Sequence, residues 1–80
     1  MMKLYTKNTC DGCNATKELL RANDVTFEEI SLDENPHHWA RFRELGMVQA
    51  PIVIAGEGEK QQMFCGYQPS AISRLIAELS

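Results

Sequence analysis

The sequence predicts a single α/β domain spanning residues 1–80, with a mixed four-stranded sheet flanked by three helices in the order β-α-β-α-β-β-α. The 80 residues suffice for one modest core, because a chain this short buries roughly 60% of its unfolded surface. Strand-like runs alternate with segments of helical apolar spacing, and the last two strand-like runs lie close together. These observations favour helices packed on a sheet that is only partly parallel.

The first strand and the first helix are separated by a polar turn. Met2–Thr6 alternates apolar and polar side chains and predicts a strand. Residues 7–13, with the sequence KNTCDGC, form a turn that opens into a helix with one apolar side. This helix should end near Asn23. Two cysteines therefore stand at a strand-to-helix junction.

A second strand and a second helix follow. Residues 25–32 predict a strand, whose imperfect alternation near Glu29 allows a bulge. The next helix should begin with Asn35 as the N-cap residue and Pro36 at the first helical position. Gly46 is a natural stop for it.

The second half of the chain predicts a hairpin and a last helix. Residues 51–55 form a short, wholly apolar run, as expected for a strand covered on both faces. Residues 56–59 turn the chain into a fourth strand over 60–64, and a helix follows over about 69–79. That helix has the clearest amphipathic pattern, formed by Ile72, Leu75, Ile76 and Leu79.

The connections determine the strand directions. A helix between the first two strands requires a right-handed crossover, which makes those strands parallel. The third and fourth strands are joined too tightly for a crossover and must be antiparallel. The sheet is therefore predicted to be mixed.

Composition excludes several functional classes. Eight Lys and Arg residues are scattered among eleven Asp and Glu residues, giving a net charge of −3 that argues against nucleic-acid binding. No apolar stretch approaches the roughly 20 residues of a membrane span. The start of the chain has no apolar signal-peptide region. We therefore expect a cytoplasmic monomer with no membrane partner.

The spacing Cys10-x-x-Cys13 indicates redox chemistry. Three residues of separation at a helix start bring two cysteines within disulfide reach. Cys10 would lie at the open end of the helix, where free N–H groups and the helix dipole stabilise a thiolate. Lys7 would add to this stabilisation and Asp11 would oppose it. Cys10 is then predicted to attack a substrate disulfide, and Cys13 to resolve the mixed disulfide.

The sequence also allows two other roles for the cysteines. The pair could be inert core residues, although a polar turn is an unexpected place for them. Alternatively, Cys10, Cys13 and Cys65 with His37 or His38 would make a formal zinc set. The histidines fall in the second helix, far from any recognisable second ligand pair, so solvated histidines are favoured.

Three blocks of sequence carry a family likeness: YTKNTCDGCNATK at 5–17, QAPIVIAG at 49–56 and GYQP at 66–69. They resemble the NrdH-redoxins, which are glutaredoxin-like proteins. The resemblance implies a thioredoxin fold, with Cys10 as nucleophile and Cys13 as resolving cysteine. It also implies a cis peptide bond between Ala50 and Pro51, opposite the disulfide, where an extended substrate could pair with the backbone.

The resemblance further implies a route for electrons. NrdH-like proteins typically take them from NADPH through thioredoxin reductase and pass them to a class Ib ribonucleotide reductase. No bound cofactor is implied beyond the redox-active disulfide. The predicted substrate- and partner-contacting residues are Lys7, Thr9, Asp11, Gly12, Ala50, Pro51, Phe64, Cys65, Gly66 and Tyr67.

The segment before the last helix departs from the family pattern. Where the family often has Trp-Ser-Gly-Phe-Arg-Pro-Asp, this chain reads FCGYQPS at 64–70. Glutathione-binding glutaredoxins have an acidic pair near this point, whereas this chain has Gln68 and Ser70, which weakens a site for the γ-glutamyl group of glutathione. Backbone groups around Gly66 could still bind. A glutathione-dependent glutaredoxin is therefore the alternative enzyme. Cys65 is either a small half-buried residue or a third reactive thiol.

A non-catalytic alternative is a binding module that holds zinc or bridges an iron–sulfur cluster between two chains through Cys10. The second cysteine, Cys13, and the absence of a Cys-Gly-Phe-Ser motif argue against the cluster carrier.

Overall fold

The computed structural model describes residues 2–79, which form a four-stranded sheet in the order β2-β1-β3-β4 with three helices. This is the thioredoxin-like fold, and the predicted order of elements is confirmed. The elements are β1 (Met2–Thr6), α1 (Asp11–Ala22), β2 (Phe27–Ser31), α2 (His37–Glu44), β3 (Ile52–Ala55), β4 (Gln62–Cys65) and α3 (Pro69–Leu79).

The strand directions are those predicted from the connections. Strand β1 is parallel to β2 and antiparallel to β3, and β3 is antiparallel to β4. The sheet is therefore mixed. The two inner strands, β1 and β3, run in opposite directions. The residues that follow β1 and the residues that precede β3 therefore lie at the same end of the sheet.

Each face of the sheet carries its own apolar core, because successive side chains of a strand point to opposite faces. Every residue of β3 is buried, as its wholly apolar sequence predicts. The core on the α1–α3 face consists of Met2, Leu4, Leu20, Val53, Ala55, Ile72 and Leu75. The core on the α2 face consists of Tyr5, Leu32, Phe42, Ile52 and Ile54.

Strand β2 forms without the bulge that its sequence allows. Its pairing with β1 is continuous in register from Phe27 to Ser31. The alternation is imperfect because Glu29 stands on the face that is covered by α1. Its carboxylate accepts hydrogen bonds from the hydroxyl of Thr6, at 2.9 Å, and from the ammonium of Lys17, at 3.2 Å. A charged residue is thus accommodated there without a break in the ladder.

Helix α2 begins later than predicted. Its N-cap position is occupied by Pro36, which has helical dihedral angles, and the helix runs over His37–Glu44. The predicted N-cap residue, Asn35, instead donates its side-chain amide to the carbonyl of Ser31 at 3.0 Å. The prediction was wrong by one residue, because this amide caps the preceding turn.

The fourth strand also begins later than predicted. Residues Gly58–Lys60 form a short 3-10 turn, and β4 runs over Gln62–Cys65 instead of 60–64. This shift leaves the antiparallel hairpin with β3 intact. None of the helices within residues 2–79 has the length and apolar character needed to cross a membrane.

Candidate active site

Cys10 is the N-cap residue of α1, where β1 ends and the helix begins. Its backbone is extended, with φ −127° and ψ 104°, and its Sγ accepts a hydrogen bond from the N–H of Cys13 at 3.1 Å. The carbonyl of Cys10 accepts the N–H of Asn14 at 3.1 Å. The sulfur therefore lies among the free N–H groups at the positive end of the helix dipole, which stabilises a thiolate when the pair is reduced.

Cys10 and Cys13 form a disulfide bond, with their α-carbons 5.2 Å apart. The two sulfur-bearing residues differ in access to solvent, because Cys10 is 8% exposed and Cys13 only 1%. An incoming thiol or disulfide can therefore reach Cys10 more readily than Cys13. This asymmetry suits an attacking cysteine followed by a shielded resolving cysteine.

Three segments meet beside the disulfide. A β-carbon placed on Gly12 would lie 3.3 Å from Cβ of Tyr67 and 3.4 Å from Cδ of Pro51, so these residues are in close approach. The N–H of Gly66 donates to the carbonyl of Pro51 at 2.8 Å, and Gly66 has a φ of +78° that favours glycine. The peptide bond between Ala50 and Pro51 is cis.

The predicted polar contact residues lie on the surface next to Cys10. Lys7, Thr9 and Asp11 are all exposed, and Asp11 stands in the first turn of α1. Thr9 has a φ of +53°, a left-handed conformation that is unfavourable for a β-branched residue. The strained residue therefore directly precedes the candidate nucleophile.

Of the predicted apolar contact residues, Tyr67 presents the most surface, since it is 46% exposed. Phe64 is half-buried and packs against the core on the α1–α3 face. Cys65 is a free thiol, half-buried and packed against the core on the opposite face, where it pairs with Ile52. Ala50 is also half-buried on that face. Phe64 and Cys65 thus help to complete the two cores.

The formal zinc set is not assembled. Among residues 2–79, no group of three or more His, Cys, Asp and Glu side chains is placed to hold a metal ion. The rings of His37 and His38 lie 4.3 Å apart on α2, and that of His38 lies 5.2 Å from the Tyr5 ring.

Two side-chain hydrogen bonds near the site were not predicted from the sequence. The fully buried hydroxyl of Thr16 donates to the carbonyl of Gly12 at 2.8 Å, which ties the first turn of α1 to the second. The side-chain amide of Gln68 donates to the carbonyl of Cys65 at 2.6 Å. The i, i+4 spacing of a threonine on a helix could have indicated the first bond, but nothing local indicates the second.

Comparisons with known proteins agree with this geometry. A family model described as Glutaredoxin matches residues 2–59. The glutaredoxin-like protein NrdH of Escherichia coli is 36% identical over 90% of this chain and 84% of its own, and that of Lactococcus lactis is 31% identical over 94% and 99%. The solved structure of the E. coli NrdH-redoxin, described as having a thioredoxin-like activity profile, superimposes with a TM-score of 0.82. That pair is 35% identical and 92% of each chain is covered.

Proposed function

Because the chain belongs to the glutaredoxin family and is an NrdH-like thiol–disulfide oxidoreductase, we propose that it passes electrons from thioredoxin reductase to a protein disulfide. The favoured acceptor is a class Ib ribonucleotide reductase. The electrons come from NADPH through the reductase, so the redoxin needs no cofactor beyond its own disulfide. The exchange takes place in the cytoplasm with the redoxin as a monomer.

The observation that carries the proposal is the position of Cys10 at the start of α1, bonded to a more deeply buried Cys13. In the reduced protein, the Cys10 thiolate attacks one sulfur of the substrate disulfide and releases the other as a thiolate. Cys13 then attacks Cys10 and releases the second substrate thiol. Two electrons pass to the substrate, and the Cys10–Cys13 disulfide is left for the reductase to reduce.

The surroundings of the disulfide suit an extended protein segment. The backbone of Ala50, before Pro51, is available to pair with an extended chain by strand addition. Tyr67 is exposed and its Cβ lies close to Gly12, so its side chain offers an apolar surface near the Cys-x-x-Cys turn. A protein disulfide on a flexible tail would meet both contacts at once, whereas a small disulfide would use only part of them.

Thioredoxin reductase is favoured over glutathione by the loop before α3. The amide of Gln68 is engaged by the carbonyl of Cys65, so it is less free to bind a γ-glutamyl group. Ser70 brings no charge to the same segment. The thioredoxin-like activity profile of the E. coli NrdH-redoxin, a protein 35% identical to this chain, points the same way.

The first test follows NADPH oxidation with one protein disulfide under two reducing systems. One contains thioredoxin reductase, and the other contains glutathione and glutathione reductase. Turnover with thioredoxin reductase alone is the expected result. Turnover with glutathione alone would overturn the assigned reductant and make the protein a glutathione-dependent glutaredoxin.

The acceptor is tested separately. A class Ib ribonucleotide reductase, supplied with nucleotide substrate and no added dithiol, should turn over when wild-type redoxin, thioredoxin reductase and NADPH are present. The Cys65→Ser variant is the matched cysteine control and should support the same rate. Insulin serves as the comparison protein disulfide in the same mixture. If the redoxin reduces insulin efficiently but does not support turnover of the ribonucleotide reductase, the proposed acceptor is wrong.

A further inference from the structure

A pocket of about 320 Å³ lies on the α2 face of the sheet, away from the disulfide. Lys3 and Ile54 stand opposite each other in the β1–β3 ladder at its base. Because β1 runs from Lys3 toward Cys10, the pocket lies near the start of the strand and the disulfide lies after its end. The lining residues are Lys3, Tyr5, Arg41, Ile54, Gly56, Glu57 and Gln61.

Two positively charged side chains line this pocket without forming an ion pair. Within residues 2–79, neither Lys3 nor Arg41 makes an ion pair, and the salt bridge that does form there joins Lys17 and Glu29. Glu57 lines the same pocket but bonds to neither cation. The two cations outnumber the one carboxylate, so the lining of this concave site is net positive in a chain of net charge −3, and it attracts an anion.

The third observation is the hydroxyl of Tyr5. This residue is only 3% exposed, and its ring is fixed by edge contacts with Phe42, at 4.8 Å, and His38, at 5.2 Å. No hydrogen bond to the hydroxyl forms in the described part of the chain. A buried tyrosine hydroxyl normally has a partner. No fully buried side-chain polar atom of residues 2–79 lacks a partner, so the hydroxyl is not closed off from solvent. Tyr5 lines the pocket, to which we assign its hydroxyl.

We infer that this pocket binds a small phosphate monoester. Lys3 and Arg41 together match the two negative charges of the ester's phosphate, and a guanidinium can hold two of its oxygens at once. The Tyr5 hydroxyl supplies a further donor for a third oxygen. A volume of about 320 Å³ exceeds the needs of a bare oxyanion and lies at the low end of small-molecule sites. Glu57 and Gln61 provide acceptors and a donor for hydroxyl groups on the organic part.

The site is distinct from the redox centre. Lys3 and Thr6 are separated by roughly 10 Å along β1, at about 3.3 Å per residue, and Cys10 lies beyond a further loop. None of the lining residues belongs to the Cys-x-x-Cys turn or to the segment that contains Pro51. Substitutions in the pocket should therefore leave disulfide reduction unchanged, which separates this inference from the proposed function.

The test is a titration of the ¹⁵N-labelled protein, followed by amide chemical shifts, with three probes: ribose 5-phosphate, inorganic phosphate and ribose. Ribose 5-phosphate should cause saturable shifts centred on Lys3, Tyr5, Arg41 and Gly56. Ribose alone should cause none, since it lacks the charge. Affinity for inorganic phosphate equal to that for the ester would overturn the assignment of a monoester.

Three variants sharpen the test. Arg41→Gln should weaken ribose 5-phosphate binding about tenfold or more, because it removes a charge-assisted contact. Arg43→Gln is the matched control, since Arg43 lies on the same helix, is exposed and does not line the pocket. It should change the affinity by less than about twofold. Tyr5→Phe should weaken binding about two- to tenfold while leaving the unliganded protein stable, because only an unpartnered hydroxyl is removed.

Absence of saturable shifts would overturn the inference, as would shifts centred on the Cys10 turn. Equal losses for Arg41→Gln and Arg43→Gln would also overturn it, because the effect would then be one of net charge. Unaltered binding by Tyr5→Phe would remove the tyrosine hydroxyl from the site and contradict the proposed donor set.

Discussion

Gly12 in α1 lies against Tyr67 in the loop before α3, so that a β-carbon on Gly12 would be 3.3 Å from Cβ of Tyr67 and 3.4 Å from Cδ of Pro51. Gly12→Ala should change the free energy of unfolding by less than about 1 kcal/mol. The helical position gains roughly 0.5–1 kcal/mol from losing a glycine, and the exposed Tyr67 can move by a few tenths of an ångström. Urea unfolding measures the change.

A larger side chain at the same position provides the contrast. Gly12→Val places additional methyl groups against the buried ring of Pro51, which cannot move as Tyr67 can. We expect this variant to reduce protein disulfides more slowly than small disulfides, because the surface for an extended substrate is distorted. If Gly12→Ala lowers the free energy of unfolding by more than about 2 kcal/mol, a single methyl group already causes the overpacking that we expect only for valine.

The three cysteines have different roles, so replacing each of them by serine should affect turnover differently. Cys10→Ser should abolish turnover, because it removes the attacking sulfur, which is the more accessible of the pair. Cys13→Ser should stall with substrate bound to Cys10, which intact-protein mass spectrometry detects as a mixed disulfide. Cys65→Ser should retain wild-type turnover, since that thiol packs against the core on the α2 face. Activity of Cys10→Ser at the wild-type rate would contradict the mechanism.

Replacing Thr9 by glycine is expected to stabilise the folded protein. Its φ of +53° costs a non-glycine residue roughly 1–2 kcal/mol, and glycine at the same place costs about 0.5–1 kcal/mol in chain entropy. Thr9→Gly should therefore raise the free energy of unfolding by about 0.5–1 kcal/mol. Thr26→Gly is the control, because Thr26 is exposed and its φ is not positive. A loss of stability in Thr9→Gly as large as in Thr26→Gly would show that the left-handed conformation is not strained.

The features that could be predicted from the sequence are those with local causes. The wholly apolar run at Ile52–Ala55 predicts a strand covered on both faces, and Cys10-x-x-Cys13 at a strand-to-helix junction predicts the disulfide. Each signal is contained within a few neighbouring residues. Spacing and propensity therefore sufficed for the order of elements and for the two cysteines.

Features that depend on register and packing could not be predicted from the sequence. Phe64 and Cys65 are adjacent in β4, yet they lie on opposite faces of the sheet and help to complete different cores. The pocket brings Lys3 together with Arg41 because α2 packs across β1. No local pattern relates residues that are so far apart in the chain.

The contact between Glu29 in β2 and Lys17 in α1 is expected to contribute stability that is lost in acid. Partial burial raises the pKa of its carboxyl, but the hydrogen bonds from Thr6 and Lys17 and the charge of Lys17 outweigh this effect, so the pKa lies below 4.5. Because the folded-state pKa is lowered, the contact contributes stability above the unfolded-state pKa and loses it as pH falls through the folded-state value.

Lys17→Met should therefore raise the pKa of Glu29, as followed by an NMR titration of the carboxyl carbon. It should also flatten the fall in stability below pH 4.5. Lys7→Met is the control, since Lys7 is exposed and has no ion pair in the described part of the chain. A pKa of Glu29 above 4.5 in the wild type would mean that burial, not the hydrogen bonds, dominates.

The environment of His38 predicts a second pH dependence of stability. Burial lowers the pKa of its imidazole below 6.5, and the charges of His37, Arg41 and Lys3 lower it further. As pH falls below about 6.5, the unfolded chain binds a proton at His38 before the folded protein does. The free energy of unfolding should therefore fall between pH 6.5 and the lower folded-state pKa.

Removing one of the charges that lower the pKa of His38 should raise that pKa part of the way back. Lys3→Gln should raise the pKa of His38 toward 6.5, since it deletes a cation that disfavours the imidazolium. Titration of the His38 ring resonances by NMR measures this directly, with Lys60→Gln as the control because Lys60 is not among the charges that lower the pKa of His38. If Lys3→Gln and Lys60→Gln give the same pKa as the wild type, Lys3 does not act on His38.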